Sequence, residues 1–387
     1  MLSFSSFATL LPEFRALWGL SNTEAGWISA SFFFGYVAAV PMLVGLTDRM
    51  DARRIYVGSA FLMALANLGF AALADGFWSA MGLRALAGVA VAGTYMPGLK
   101  LLTDHIEPAH QSRSLAFYVS CFSLGVALSY PLTGVIAGLA HWTTAFAAAG
   151  VAALAAIAIV LAAIPASPPA DHAGSLVGLF DYRPVLRNRQ SLAYSLCYAF
   201  HSWELFGFRA WIVAFLVFTE TRHGAVHDLF GPTIMAGLIT AMATPVSILG
   251  NEIAMRFGRG TAVAAVMTLS ALMCFAAGFT SALSYAAAAI FAVVHGLAII
   301  AESAAVTAGA MGHARDGQRG ATMAVHTILG FGGGCMGPLA FGLILDWSGG
   351  ESVIAWGLAF AHMGAVMLAG PLVLAVLRPT PLAGDRR

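Results

Sequence analysis

Eleven stretches of about 20 predominantly apolar residues follow one another along this chain, each long enough to cross the hydrocarbon of a bilayer as a helix. They end near residues 46, 74, 101, 139, 164, 218, 255, 281, 311, 346 and 377, and a shorter apolar segment ends near residue 11. A β-barrel would instead show alternating segments of about 10 residues. Residues 145–163 are apolar on every face, so the expected fold class is an all-α polytopic membrane protein. Composition agrees, since 59% of the 387 residues are hydrophobic and only 10% are charged. The net charge of +1 suggests no nucleic-acid partner.

Assigning alternate loops to opposite sides collects Arg49, Arg53, Arg54, Lys100, Arg113, Arg256, Arg259, Arg315 and Arg378, among others, on one side. Only Arg15 and Arg222 fall opposite. By the positive-inside rule the crowded side is cytoplasmic, as expected for a multi-pass protein of the inner (plasma) membrane. Cys121, Cys197, Cys274 and Cys335 each stand alone within a span and read as small apolar residues, with neither a disulfide framework nor a metal site.

The second half repeats the first at an offset of 207, matching Glu13 with Glu220, Arg15 with Arg222, Arg49 with Arg256, and Gly125 and Pro131 with Gly332 and Pro338. The chain divides accordingly into a first bundle at 1–164, a polar cytoplasmic linker at 165–189, a second bundle at 190–377 and a cytoplasmic tail at 378–387. The first segment turns at Pro12, too short to span, and the repeat aligns its missing part with His201 and Glu204. A truncated first helix is therefore expected.

The chemistry concentrates in the seventh span. His201, Glu204 and Arg209 lie at membrane depth, where an ionisable side chain is costly and marks function by default. Tyr194, His201 and Glu204 share one helical stripe, with Tyr198 and Phe208 beside it, and Arg209 faces elsewhere. In the tenth span His295 and Glu302 are seven residues apart on one face. His326 and His362 read as packing residues. No HExxH spacing supports a metal, and no Gly-rich phosphate loop supports ATP-driven transport.

The loop at 45–54, GLTDRMDARR, resembles the major facilitator superfamily, whose loop between helices two and three has an Asp-Arg pair followed by a basic cluster. Asp48, Arg49, Arg53 and Arg54 match that pattern, with Asp51 where the family has Gly. In the second copy, GNEIAMRFGR, Arg256 and Arg259 match, Met255 replaces the acid, and Glu252 stands one turn before Arg256, placed to pair with it. The resemblance implies a conformational latch; the alternative is that these arginines only set topology. Arg84, Gly88 and Tyr95 resemble the family's fourth-helix motif. Arg84 then needs an acid, a set of carbonyls or an anionic substrate, unless it snorkels to the headgroups. Gly125 with Pro131, and Gly337 with Pro338, resemble the Gly-Pro helix motif of antiporters and permit close packing.

The resemblance further implies two pseudo-symmetric six-helix bundles whose first, fourth, seventh and tenth helices line a central cavity. Arg84, Tyr95, Tyr194, Tyr198, His201, Trp203, Glu204, Arg209, His295 and Glu302 would then surround the path of substrate and protons. The expected function is secondary active transport of a small anionic or zwitterionic organic solute by alternating access, coupled to protons. Desolvation penalises a charged carboxylate, which suits Glu204 to carry the coupling proton, with Glu302 as the second candidate and His201 and His295 as relays. Proton-driven efflux of amphipathic compounds or metabolites is the nearer alternative, and a non-transporting membrane sensor the more distant. The expected partners are the solute, protons and the bilayer, for a monomer without a cofactor; an enzyme is not expected.

Overall fold

The computed structural model describes residues 1–47, 49–166, 182–224, 230–382 and 385. The first half contains α1 (Ser6–Trp18), α2 (Asn22–Leu46), α3 (Ala52–Leu73), α4 (Phe77–Asp104), α5 (Pro108–Leu139) and α6 (Trp142–Ala163). A short α7 (Arg183–Leu186) lies in the expected linker, of which only 165–166 and 182–189 are among the described residues. The second half contains α8 (Arg189–His223), α9 (Pro232–Ala241), α10 (Ala243–Phe257), α11 (Arg259–Ala277), α12 (Tyr285–Ala301), α13 (Ser303–Gly312), α14 (Arg319–Trp347), α15 (Val353–Met367) and α16 (Ala369–Leu377). Among the described residues ten helical stretches are long and apolar enough to cross a bilayer, and α9 with α10 forms an eleventh, bent by 40°.

Among the described residues three spans are broken. Pro245 and Pro371 each remove a backbone donor just after the breaks at Met242 and Leu368. The break at Glu302, between α12 and α13, has a tertiary cause. The Ala304 N–H leaves the helix ladder to donate to Ser247 Oγ of α10 at 3.1 Å. Gly250, also on α10, lies so close to the Ala301 carbonyl that a Cβ there would collide with it.

Two expected span ends are corrected. α1 does not stop near residue 11 but runs through Pro12 to Trp18, and α8 runs past Phe218 to His223. Glu13, Arg15, Glu220 and Arg222 are therefore helical. The ends are set by Gly19 (φ 62°) and Gly224 (φ 60°), which adopt the left-handed conformation that closes a helix. Beyond Pro12, Phe14 stacks on Trp18 at 4.4 Å and packs against Phe70 and Trp142, which holds the last turn in place.

The halves meet along α2 and α14. Without a hydrophobic drive between helices in lipid, close approach depends on small residues. A Cβ at Gly342 would strike the Asn22 carbonyl, and one at Gly26 would press on the Pro338 carbonyl. This contact lies at the end of the molecule opposite the arginine-rich loops.

Candidate functional site

α8 is built with two unlike faces. One carries Cys197, His201, Glu204 and Phe208 and turns into the interior of the second half, toward α11 and α12. His201 Nδ1 lies 3.1 Å from Glu302 Oε1. One turn further along, Glu204 Oε1 accepts from Ser270 Oγ (2.7 Å) and Cys274 Sγ (3.0 Å) of α11 and lies 2.9 Å from His295 Nε2 of α12. The Phe208 ring meets His295 edge-on at 5.3 Å. Because α8 and α12 run antiparallel, the lower residue of one pairs with the later residue of the other, giving two imidazole-carboxylate pairs at different depths.

This corrects the expected placement. His201, Glu204 and His295 are completely buried and Glu302 is 1% exposed, so all four are sealed between helices of one half and do not line a cavity between halves. Helical periodicity defines the stripe but not which neighbour it meets. His295 pairs with Glu204, and Glu302 pairs with His201. His201 Nε2, Glu204 Oε2, His295 Nδ1 and Glu302 Oε2 are buried without a hydrogen-bond partner.

Arg209, set round α8 from the face of His201 and Glu204, turns toward the first half, while Tyr198 packs on His201 and His326 within the second half. Tyr130 of α5 donates to the Arg209 carbonyl at 2.8 Å, and the guanidinium lies within electrostatic reach of the Tyr130 and Tyr198 phenols. No carboxylate among the described residues forms an ion pair with Arg209. Tyr198 stacks on His326 at 4.1 Å. His326 is held by Ser195 and Thr307, and His362 meets the Trp203 indole and the Ala359 carbonyl. Between the halves, Phe33 lies 4.3 Å from Phe206, and Tyr36 lies 4.3 Å from Phe331. Tyr194 belongs elsewhere, stacked on His313 at 5.6 Å near the basic end.

Arg84 does not snorkel. It is 6% exposed, its guanidinium lies 4.5 Å from the Phe32 ring centre, and it donates to the Ser3 and Phe4 carbonyls at 3.5 and 3.4 Å. Tyr95 lies 4.4 Å from Phe122 and lines a cavity of about 370 Å³ within the first half, with Tyr56, Met63, Tyr118 and Ala153 among its other walls.

Asp48 lies outside the described residues. Asp51, in the position the family gives to Gly, caps α3 by accepting from the Arg53 N–H at 2.9 Å, and Arg53 donates to the Leu161 carbonyl at 2.8 Å. Arg54 is exposed. The expected Glu252–Arg256 pair is not formed: both side chains are exposed, where the gain from an ion pair is small, and Arg256 lies over the Phe257 ring. Arg259 is the anchored member. It is 5% exposed and donates from Nη2 and Nε to the two oxygens of Asp385 at 3.0 and 3.3 Å, and from Nη1 to Asn251 Oδ1 at 2.8 Å. The carboxylate missing at Met255 is thus supplied from beyond the last helix.

At the opposite end Asp346 of α14 accepts from the backbone and side chain of both Asn22 and Thr23, at 2.6–3.1 Å. Arg15 pairs with Glu351 at 2.8 Å. These contacts join the halves, and sequence reading missed them because Asp346 and Glu351 look like ordinary loop-side acids. Gly337 is pressed against the Trp203 carbonyl, Pro131 against Gly237 and Gly125 against Met1. The Pro338 carbonyl accepts from the Trp211 indole at 3.0 Å. Cys274 is also corrected: it is not merely a small apolar residue, since its sulfur touches both Glu204 and His295.

The sequence model of the Major Facilitator Superfamily matches residues 1–338. Among curated relatives, a probable sphingolipid transporter, spinster homolog 2 of Arabidopsis thaliana, is 28% identical over 127 residues, 33% of this chain and 26% of its own length. A probable 4-methylmuconolactone transporter of Cupriavidus pinatubonensis is 30% identical over 129 residues, 32% of this chain and 28% of its own length. The aligned stretches therefore span less than a third of either relative. The crystal structure of a bacterial homolog of the human lysosomal transporter Spinster, inward-facing and occupied, superposes with a TM-score of 0.76 at 16% identity, covering 97% of this chain and 92% of that one. A variant of the nucleoside transporter NupG also gives 0.76, at 13% identity, covering 97% and 98%. At these identities the likeness is one of fold.

Proposed function

This chain belongs to the Major Facilitator Superfamily, and from that premise we propose that it is a secondary active transporter that alternates access to a site between its halves and couples solute movement to protons. The observation that carries this reading is that α8 holds two separate polar systems at membrane depth. One face bears the sealed His201–Glu302 pair, and the other presents Arg209, with no carboxylate partner among the described residues, to the first half.

The coupling proton is assigned to the His201–Glu302 pair rather than to Glu204. Glu204 is held by three donor groups on one oxygen, whereas Glu302 has a single side-chain partner and sits at the break between α12 and α13. With one proton the pair is net neutral. A second proton leaves a net positive pair in a dry interior, which favours its separation and a change of angle at the adjoining break. The polar groups facing it are Tyr198 and Cys197 on α8, His326 from α14 beyond Tyr198, and Glu204 one turn along.

A guanidinium stays charged in a protein, so Arg209 suits the anionic group of a small organic solute, cytoplasmic or external. The relative named for 4-methylmuconolactone supports a small organic cargo. A second reading, export of amphipathic compounds, is favoured by the largely apolar cavity of about 370 Å³ in the first half, a volume suited to a drug-sized ligand, and by the relative named for sphingolipids.

Uptake by proteoliposomes, with and without a pH gradient, separates the two. The expected result is gradient-driven accumulation of organic anions that Arg209→Gln abolishes. Unchanged KM for anions in Arg209→Gln, or accumulation of neutral amphipathic compounds of varied shape, overturns the anion reading.

A further inference from the structure

We infer that Glu204, Cys274 and His295 form an intramembrane site for a borderline-soft divalent metal, of which zinc is the type, tying together three helices of the second half. The inference stands apart from transport: it concerns only what this side-chain cluster binds.

Three donors of metal-ligand type converge from three separate helices. Glu204 Oε1, Cys274 Sγ and His295 Nε2 lie within 4.8 Å of one another, all fully buried. Their separations are 3.0 Å (oxygen to sulfur), 3.3 Å (sulfur to nitrogen) and 2.9 Å (nitrogen to oxygen). Around a tetrahedral zinc, bonds of about 2.3 Å to sulfur and 2.0–2.1 Å to nitrogen and oxygen place such donors roughly 3.4–3.6 Å apart. Each edge needs to widen by only about half an ångström, within the reach of small side-chain rotations.

The hydrogen bonding points the same way. Ser270, Cys274 and His295 all crowd onto Glu204 Oε1, while Oε2 is buried without a partner, as is His295 Nδ1. The His201–Glu302 pair also leaves one oxygen and one ring nitrogen unpartnered, so what distinguishes this cluster is the convergence of donors on a single oxygen. Three protein ligands leave the fourth position of a tetrahedral zinc to a water molecule, and Ser270 is placed to orient the carboxylate from outside the ligand set.

Charge supplies the third argument. A carboxylate and a thiolate with a neutral imidazole carry two negative charges, which a divalent ion cancels; burying a neutral complex costs far less than burying an unpaired charge. On binding, the Cys274 proton leaves to solvent. Sulfur and nitrogen donors suit zinc or cobalt and do not suit calcium or magnesium, which take oxygen ligands in larger number.

The test uses the untagged chain of 387 residues, purified in detergent from cells grown with added zinc and washed with a chelator. Elemental analysis is expected to find about one zinc per chain, falling to background in Cys274→Ser. Reconstitution with Co2+ should give the visible bands of a tetrahedral site and a thiolate-to-cobalt charge-transfer band, the latter lost in Cys274→Ser. Zinc should also raise the Tm of the wild type and leave that of Cys274→Ser unmoved. Cys197→Ser, whose equally buried thiol faces the Gly370 carbonyl, should keep its metal. If Cys274→Ser does not fold, His295→Gln takes its place in each measurement. Wild-type protein with no more metal than the variant, or a cobalt spectrum without thiolate character, overturns the site.

Discussion

Replacing Asp346 by Ala should open the end of the molecule opposite the arginine-rich loops. Asp346 acts as an N-cap supplied by another helix: its two oxygens accept from the Asn22 and Thr23 N–H groups at the start of α2, at 3.1 and 2.7 Å, and from both side chains. Loss of such a cap costs about 0.5–2 kcal/mol, and loss of a negative charge near a helix N-terminus adds roughly 0.3–1 kcal/mol. Because Asp346 joins α14 to α2, that energy is lost only where the halves touch. The cost therefore shifts the balance between closed and open forms by about 1–3 kcal/mol, a factor of roughly 5–150. The neighbouring Arg15–Glu351 bridge compensates little, since Glu351 is 60% exposed. Spin labels at Leu17 and Trp347, both exposed and in opposite halves, report the separation by pulsed electron resonance once the exposed Cys121 is replaced by Ser. A longer-distance population should grow in Asp346→Ala by that factor. A change of less than about twofold would refute the reasoning that this contact sets the balance.

Gly337→Ala forces a methyl against the Trp203 carbonyl and should destabilise by about 1–3 kcal/mol, read as a lower Tm, whereas Gly332→Ala, with nothing within 4 Å of the added carbon, should leave it unchanged or slightly raised; equal effects would contradict the packing argument. Asp385→Ala leaves the buried Arg259 with only Asn251 and the Ala305 carbonyl, at a cost of about 3–5 kcal/mol for breaking a buried pair, and should speed tryptic cleavage after Arg378. An unaltered cleavage rate would show that the Arg259 contact does not hold the residues beyond α16.

The spans were legible because apolarity over about 20 residues is a property of composition, and among the described residues ten helices long and apolar enough to cross a bilayer, with the bent α9–α10 pair as an eleventh, follow the order that hydropathy gives. Their ends were less legible. Glu13 with Arg15, and Glu220 with Arg222, look like loop residues, yet the helices run on to glycines with positive φ. The breaks at Met242 and Leu368 have visible signals in Pro245 and Pro371, while the break at Glu302 depends on Ser247 and Gly250 from another helix, which no local pattern reports. The same limit explains the site. His201, Glu204, His295 and Glu302 stood out as ionisable groups at membrane depth, but periodicity does not say whether a stripe meets a cavity or a neighbouring helix. Cys274 and Ser270 are ordinary residues of an apolar helix until α11 brings them to Glu204. Asp385 is 126 residues from Arg259, so the replacement of the acid lost at Met255 was invisible in the motif itself.

The most direct test of the central claim, that the His201–Glu302 pair carries the coupling proton, is transport by Glu302→Gln in proteoliposomes. Glutamine keeps nearly the same shape and leaves a partner for His201, but it cannot take up and release a proton. With a pH gradient imposed, the wild type should concentrate its solute and Glu302→Gln should not, while exchange of solute at equal concentrations across the membrane continues in both, because exchange does not require the empty carrier to return with its proton reset. Accumulation against a gradient by Glu302→Gln at the wild-type level would contradict the claim.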